Sequence, residues 1–380
     1  MTPKQLLALL AAAVVLGGAY LLLNHTRDKT GAHADVGKPV LPGVDFNAAA
    51  RIAINANGRV LEVVRDGETW RVPAYAGYPA DFDRIVTRLR GLADVKIADV
   101  LTGMALDTTA TLALSDAAGK ELAVLHIGQA RQKNTAGAMM WQPPEGRYLR
   151  VGDSEKILLV KEGLTDFSVE PSAWVNTRLL SIQAAEIYSI AIGHPDAALD
   201  SSFVRDEGQL HMTGLADDES LDASKSSGLE SAFSYLSFIN VFPAETPETA
   251  TGLSTGTTFR VTLENGVRLT ARVGNEAPDG NRYVKLSAEA DELGVRSEEL
   301  GVEEQALQSI VDNYNARFAP YIFTIPSYLA DNMTRPRTDF IKPPELKGLV
   351  SEPIFIGGEE DDEDAGSEDG DDTPEAGDDE

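Results

Sequence analysis

Short apolar runs separated by turn dipeptides dominate the chain from about residue 50 onward. The runs 51–56, 59–65 and 68–72 are separated by Asn57-Gly58 and Asp66-Gly67. Both dipeptides accept the positive φ angles of two-residue hairpin turns, so they are strong hairpin signals. The spacing predicts an antiparallel β-meander beginning near Phe46.

A helix is predicted to follow the meander, with Asp81 as its N-cap. Its apolar face comprises Phe82, Ile85, Val86, Leu89 and Leu92. Strands are predicted to resume over 110–114, 121–127, 148–151 and 157–160. A last amphipathic helix, with apolar residues from Leu307 to Phe318, is expected to stop at Ala319-Pro320.

The second half of the chain repeats this order of hairpin, helix and hairpin. Val204-Arg205-Asp206 resembles Val64-Arg65-Asp66, and a helix is expected around Leu229, Phe233, Leu236 and Ile239. Two later motifs also align: LHIG (125–128) with ARVG (271–274), and RYLR (147–150) with RYVK (282–285). The order predicts an internal duplication. The alternative is two ordinary α+β domains that resemble each other because hairpins are alike.

The predicted fold class is α+β, with two related modules of antiparallel hairpins and packed helices after one transmembrane helix. The boundaries are an anchor over 1–23, a linker over 24–45, a first module over 46–180, a second module over 181–334, and a Pro-rich, then acidic, disordered tail over 335–380.

An apolar segment from Leu6 to Leu23 carries no charged residue. Its eighteen residues span about 27 Å as a helix, close to the thickness of a bilayer core. This predicts a single-pass anchor in the inner (cytoplasmic) membrane, with the soluble region facing the periplasm or the cell exterior. A cleaved signal ending near Ala32-His33-Ala34 and a buried helix are the alternatives.

Charge and cysteine content exclude several classes of function. The formal net charge is −27, and fourteen of the acidic residues lie between Glu359 and Glu380. No basic face is evident, so nucleic acid is not an expected partner. The absence of cysteine excludes disulfides, thiolate metal sites and a cysteine nucleophile.

No catalytic, metal-binding or cofactor-binding residues are predicted. Gly252-Leu253-Ser254-Thr255-Gly256 matches the G-x-S-x-G nucleophile elbow, which requires a preceding strand, a following helix and a downstream histidine. A loop precedes Ser254, a strand follows it, and no histidine occurs after His211. We therefore interpret this segment as a Gly/Ser/Thr loop and expect a protein that is not an enzyme.

Three residues are candidates for a partner contact: Met139, Met140 and Trp141, in a loop that ends with two prolines. Flexible thioethers and an aromatic ring at a surface often mark partner contacts. Packing over the end of the first sheet is the alternative. Trp70 and Trp174 are expected to serve packing.

The order of features resembles a bacterial family catalogued as domain of unknown function 4340. The resemblance is carried by the Leu6–Leu23 segment, Thr69-Trp70-Arg71-Val72, the following helix, the LHIG and RYLR motifs, the 157–160 strand and Trp174. Members have one N-terminal span and a duplicated extracytoplasmic region, and are often encoded beside ABC transporter components of the gliding-motility type. The resemblance brings no established catalytic residues.

We therefore expect a non-catalytic, membrane-anchored interaction or assembly module. The resemblance implies a membrane protein complex, such as ABC transporter subunits, as partner. One alternative is a binding module for a glycan or small solute in the crevice between the modules. A second is a serine hydrolase that uses Ser254.

Overall fold

Two antiparallel β-sheets account for most of the part of the chain that the computed structural model describes, namely residues 33–132, 144–291 and 304–342. Helices are few, so the fold agrees with the predicted α+β class, with β structure predominating. The Leu6–Leu23 segment lies outside the described residues. Within them, no helix is long and apolar enough to cross a membrane.

The first sheet has nine strands and one packed helix, α1 (Phe82–Asp94), between its fourth and fifth strands. The strands are β1 (Ala49–Ala56), β2 (Arg59–Asp66), β3 (Thr69–Val72), β4 (Tyr78–Pro79), β5 (Ile97–Leu101), β6 (Thr108–Asp116), β7 (Glu121–Arg131), β8 (Gly146–Val151) and β9 (Ile157–Val160).

The second sheet has eight strands: β10 (Ile187–Gly193), β11 (Ser201–Asp206), β12 (Gln209–Met212), β13 (Asn240–Pro243), β14 (Thr257–Leu263), β15 (Val267–Glu276), β16 (Arg282–Ala290) and β17 (Tyr321–Ile325). The helices of this half are α2 (Ala223–Ser231), α3 (Glu248–Thr251), α4 (Glu304–Phe318) and α5 (Ser327–Met333).

The two sheets have the same strand order. The first runs β4-β3-β2-β1-β6-β7-β8-β9-β5, and the second runs β12-β11-β10-β14-β15-β16-β17-β13. Pairing β1 with β10 and continuing outward matches every strand except β4, which has no counterpart. In both sheets a helix leads into the edge strand, α1 before β5 and α2 before β13.

The hydrogen-bonded registers correspond as well. His126 lies opposite Arg150 in the first sheet, and Arg272 lies opposite Lys285 in the second. These are the pairs obtained by aligning LHIG with ARVG and RYLR with RYVK. The sheets therefore share their pairing register as well as their strand order.

The turn between β1 and β2 has the chemistry that its sequence predicts. Asn57 and Gly58 have φ angles of 54° and 73°, so both lie in the left-handed region. Two such residues give a hairpin turn whose twist matches that of the flanking strands. The turn sets the pairing of Ala56 with Arg59, which brings Ile54 opposite Leu61 on the buried face.

Four strands are not predicted from the sequence: β4, β5, β13 and β17. The chain 321–325 follows the expected helix stop and is buried at every position, so it shows no alternation of polar and apolar residues. The helix expected around Leu229 to Ile239 is also wrong in extent. It ends at Ser231, and the chain then turns toward β13.

A connector between the sheets, residues 161–186, joins both halves through its backbone. The Asp81 N–H, at the start of α1, donates to the carbonyl of Trp174 at 2.8 Å. In the second half, the Leu179 N–H donates to the Leu236 carbonyl at 2.8 Å, and the Phe238 N–H donates to the Thr177 carbonyl at 3.0 Å. The indole of Trp174 is fully buried, which confirms its expected packing role.

An aromatic cluster closes the junction between the sheets. The ring of Tyr78 in β4 lies 5.1 Å from the rings of both Phe238 and Tyr321 and 6.1 Å from that of Phe323, centroid to centroid. The Tyr75 hydroxyl donates to the Ile239 carbonyl at 2.8 Å. Because buried residues of both sheets belong to one continuous cluster, the two halves share a hydrophobic core.

The ordered chain extends beyond both boundaries expected from the sequence. Within the linker expected over 24–45, the side chains of Val40 and Leu41 are buried, and the Val40 N–H donates to the Val95 carbonyl at 2.9 Å. At the other end, Phe340 is fully buried against Phe203, with ring centroids 5.0 Å apart. The chain therefore belongs to the fold until Lys342, eight residues past the expected end of the second module at 334.

We predict that Phe238→Ala destabilises the protein by about 3–5 kcal/mol, because it opens a cavity where two sheets meet. Chemical denaturation followed by circular dichroism and by tryptophan fluorescence should show one coincident transition in the wild type. Tyr328→Ala is the control, since the Tyr328 side chain is 68% exposed. Separate transitions for the two probes, or equal stability of both variants, would contradict a shared core.

Candidate functional site

A cleft of about 560 Å³ lies at the junction between the sheets, and we call it the junction cleft. Arg71 of β3 lines it, together with Tyr78 and Asp81 before α1. Arg178 of the connector and Arg317, in the last turn of α4, complete its charged lining. Further lining residues are Pro79, Ala80, Asn176, Ala316, Pro320 and Tyr321.

The three guanidinium groups are held in different ways. Arg71 lies 3.3 Å from a carboxylate oxygen of Asp66 and donates to the Gly77 carbonyl at 3.1 Å. Arg317 donates from Nη2 to the Leu179 carbonyl at 3.1 Å. Among the described residues, the guanidinium of Arg178 donates no hydrogen bond, and it lies 5.3 Å from the centroid of the Tyr235 ring.

One wall of the cleft is phenolic. Burial raises the pKa of the Tyr78 phenol, although the neighbouring Arg317 guanidinium acts in the opposite direction. The Tyr78 hydroxyl is therefore neutral at physiological pH, where it can both donate and accept a hydrogen bond. Tyr321 lies beside it and brings a second ring from the other sheet.

Asp81 is the one carboxylate among the described residues that line the cleft, and both of its oxygens are engaged. Its Oδ1 accepts from the Arg84 N–H at 3.2 Å as the N-cap of α1, as the sequence predicts. Its Oδ2 lies 3.0 Å from the Arg84 guanidinium. Asp81 is thus committed to the helix and does not neutralise the three arginines of the lining.

A second concavity, of about 550 Å³, lies between α1 and the first hairpins, and we call it the Trp70 groove. Apolar residues including Ile85, Leu89 and the indole of Trp70 line it, and Arg65 and Arg90 also contribute. Phe82, at the start of α1, is 59% exposed beside it. The groove thus combines apolar side chains with two guanidinium groups and one carboxylate, Asp45.

Ser254 does not lie in a nucleophile elbow. The short helix α3 precedes it and strand β14 follows it, the reverse of the strand–serine–helix order that the elbow requires. The Ser254 hydroxyl donates to Glu248 at 2.7 Å, and its N–H donates to the same oxygen at 2.6 Å. The ring of His194 is not paired with Ser254: its two nitrogens contact the Thr257 hydroxyl and the Arg335 carbonyl.

The remaining candidates divide between packing positions and residues outside the described chain. Trp70 is buried at 5% exposure, which confirms its packing role. His126 is half-buried on the outer face of β7, between buried Leu125 and Ile127. Within the described residues, no three His, Asp or Glu side chains converge into a metal-binding group.

The partner-contact candidates Met139, Met140 and Trp141 lie outside the described residues, so their role stays a prediction.

The arginines of the junction cleft are missed by sequence reasoning. Arg71 is named there only as part of a strand motif, and Arg317 is not named at all. Arg178 carries no motif. The three are far apart in the chain, and only the packing of β3, the connector and α4 brings them to one cleft.

Fold and site together define a β-rich protein of two like-ordered sheets with a cationic, phenol-walled cleft at their junction. The family model described as domain of unknown function (DUF4340) matches residues 70–255, which confirms the resemblance to that family over this part of the chain. The matched segment begins in β3 and ends just before β14, so it spans the junction. Neither the curated proteins nor the solved structures provide a match.

We predict that Ser254→Ala leaves the protein folded, with a small loss of stability confined to neutral pH. The Ser254 hydrogen bonds lower the pKa of Glu248, so their contribution is present above the usual glutamate pKa and is lost as the pH falls through the folded value. Denaturation of both forms at neutral and acidic pH measures this. A fluorophosphonate probe should not label Ser254, and labelling would overturn the non-enzyme interpretation.

Proposed function

We propose that the protein is a non-catalytic interaction module, anchored in the inner membrane by Leu6–Leu23, with its two sheets on the extracytoplasmic side. Its partner is a membrane protein complex, with ABC-type transporter subunits as the favoured members. The match to the family over residues 70–255 supports this partner class, because the resemblance implies an association with such transporter components.

The observation that carries the proposal is the Trp70 groove. An exposed phenylalanine next to an apolar groove is costly for a free protein, and such features often mark protein contacts. The backbone of Phe82 is held in place, since Phe82 opens α1, which Asp81 caps. A packed body that presents an aromatic side chain from a helix suits assembly, because no backbone segment has to be ordered on binding.

The chemistry of the groove suggests its occupant. Apolar residues line it, and Arg65 and Arg90 outnumber the one carboxylate among the described lining residues, Asp45. A short apolar segment with a flanking carboxylate, in an extracytoplasmic loop of an integral membrane protein, would match both features. Such a contact depends mainly on apolar burial, so it should survive moderate salt.

Site-specific crosslinking in living cells tests this contact. We expect a photo-crosslinking side chain in place of Phe82 to trap an integral membrane protein, and the same group in place of Tyr328 to trap none. The 68% exposure of Tyr328 makes it a matched control for accessibility. A third crosslinker in place of Trp141 tests the contact proposed for residues 139–141.

Copurification gives an independent measure. In mild detergent, Phe82→Ser should reduce recovery of the trapped protein, whereas Tyr328→Ser and deletion of the acidic tail should not. A carbonate wash of the same membranes should retain the protein; release of a soluble form beginning near Asp35 would indicate a cleaved signal. Equal recovery with Phe82→Ser, or crosslinks only to soluble glycans or peptides, would contradict the proposal.

The junction cleft favours a second candidate, the binding of a glycan or small solute between the modules. Its volume of about 560 Å³ is within the range of small-molecule sites. Its polar side chains converge from both halves of the chain, which is typical of ligand sites at domain interfaces.

We further propose that the two halves arose by internal duplication. The shared strand order supports this, and so do two irregularities at equivalent positions. The register shifts between Ala49 and Arg51 in β1 and between Ile187 and Ser189 in β10. It shifts again after Ile127 in β7 and after Val273 in β15.

A duplication predicts that profiles built from the two halves of many family members detect one another, with Gly128 aligned to Gly274 and Tyr148 to Tyr283. Alignment in a different register, or no similarity above that of unrelated hairpin proteins, would favour two ordinary domains of similar order.

A further inference from the structure

We propose that the junction cleft binds a small ligand through carboxylate groups on that ligand. The proposal deepens the solute-binding candidate and rests on it, since it names the chemical class that the cleft would select. Three features carry it: the charge of the lining, the free donors of Arg178, and the lack of the groups that phosphate sites use.

The charge of the cleft is opposite to that of the chain. Arg71, Arg178 and Arg317 face one carboxylate, Asp81. Their ion-pair partners Arg84 and Asp66 bring the group to four arginines and two aspartates among the described residues. Its net charge is therefore +2. The whole chain has a net charge of −27. A local positive field in so acidic a protein attracts anions to this cleft in preference to the rest of the surface.

The donors of Arg178 are available and their position is restrained. A guanidinium has five N–H groups in a planar fork that matches a carboxylate in a two-bond geometry. The Tyr235 ring, with its centroid 5.3 Å from the Arg178 guanidinium, is an aromatic neighbour that uses none of these N–H groups. Its backbone N–H donates to Asn176 Oδ1 at 3.0 Å, which fixes the connector where the arginine emerges.

Arg71 and Arg317 use part of their donor sets for protein contacts and retain the rest. Arg71 engages Asp66 and Gly77 through Nε and Nη1. Arg317 engages the carbonyls of Arg178 and Leu179 through Nη2. Both guanidiniums are therefore anchored to the body of the protein, so little of their freedom is lost when a ligand binds.

The character of the lining favours a carboxylate over a phosphate. Phosphate sites are commonly built from backbone N–H groups at helix N-termini or in nests. Here the N-terminus of α1 is capped by Asp81, and Pro79 and Pro320 have no N–H group. The donors of the cleft are side-chain guanidiniums and the phenol of Tyr78, which suit a flat carboxylate that lies against a ring.

Calorimetric titration of the purified full-length protein with matched probes tests the proposal. The probes are triglutamate against triglutamine, and digalacturonate against neutral digalactoside, with inorganic phosphate as the competing anion. We expect at least one carboxylate probe to bind, its neutral partner not to bind, and the affinity to fall as salt is raised.

Variants locate the site. Arg178→Gln should weaken carboxylate binding by roughly tenfold or more, because it removes a charge-assisted hydrogen bond. Arg178→Lys should restore only part of the affinity, since an ammonium keeps the charge but not the planar fork. Arg260→Gln is the control: it removes the same charge from an exposed position on the outer face of β14. Unchanged melting temperatures establish that the variants fold.

The outcomes distinguish the carboxylate assignment from the more general proposal that the cleft binds a small solute. Binding of neutral digalactoside with an affinity unaffected by Arg178→Gln overturns the carboxylate assignment and leaves solute binding in place. Tighter binding of phosphate than of every carboxylate probe also overturns the assignment. Carboxylate binding that Arg260→Gln weakens as much as Arg178→Gln places the ligand outside the cleft. Absence of binding by every probe contradicts both proposals.

Discussion

Contact between the aromatic rings of β4 and those of β17 joins the two sheets of this molecule. Tyr78 belongs to the first sheet, whereas Tyr321 and Phe323 belong to the second, and Phe238 fills the space between them. Aromatic pairs at such distances and near-perpendicular angles add stabilisation beyond their burial. Since the connector also forms hydrogen bonds with both halves, we expect the two sheets to unfold together in one cooperative transition.

The hairpins could be predicted because their determinants are local. Asn57-Gly58 sets one turn, and alternation of polar and apolar residues sets the strands beside it. The strands β5, β13 and β17 could not, because they pair with strands distant in sequence. Val241, for example, is opposite Phe323, and neither is adjacent to a turn signal that would reveal the other. Such strands are defined by the sheet that they join.

The ends of the fold illustrate the same limit. Val40 and Phe340 lie in segments rich in proline and small residues, which are typical of linkers. Each is nevertheless buried, because its apolar side chain packs against the folded body of the protein. The candidate site follows this logic too. Arg178 belongs to no motif, and its neighbours in the cleft are set by tertiary packing, whereas the Ser254 motif is fully local and lacks the structural context of an elbow.

The composite nature of the junction cleft has a thermodynamic consequence. No single sheet contains it: the first half of the chain contributes Tyr78 and Arg71, the second half contributes Arg317 and Tyr321, and the connector supplies Arg178. The cleft therefore exists only while both sheets are folded and joined. Any molecule that occupies it binds the native state alone, so its concentration enters directly into the folding equilibrium. Ligand binding in the cleft therefore raises the free energy of unfolding of both sheets together.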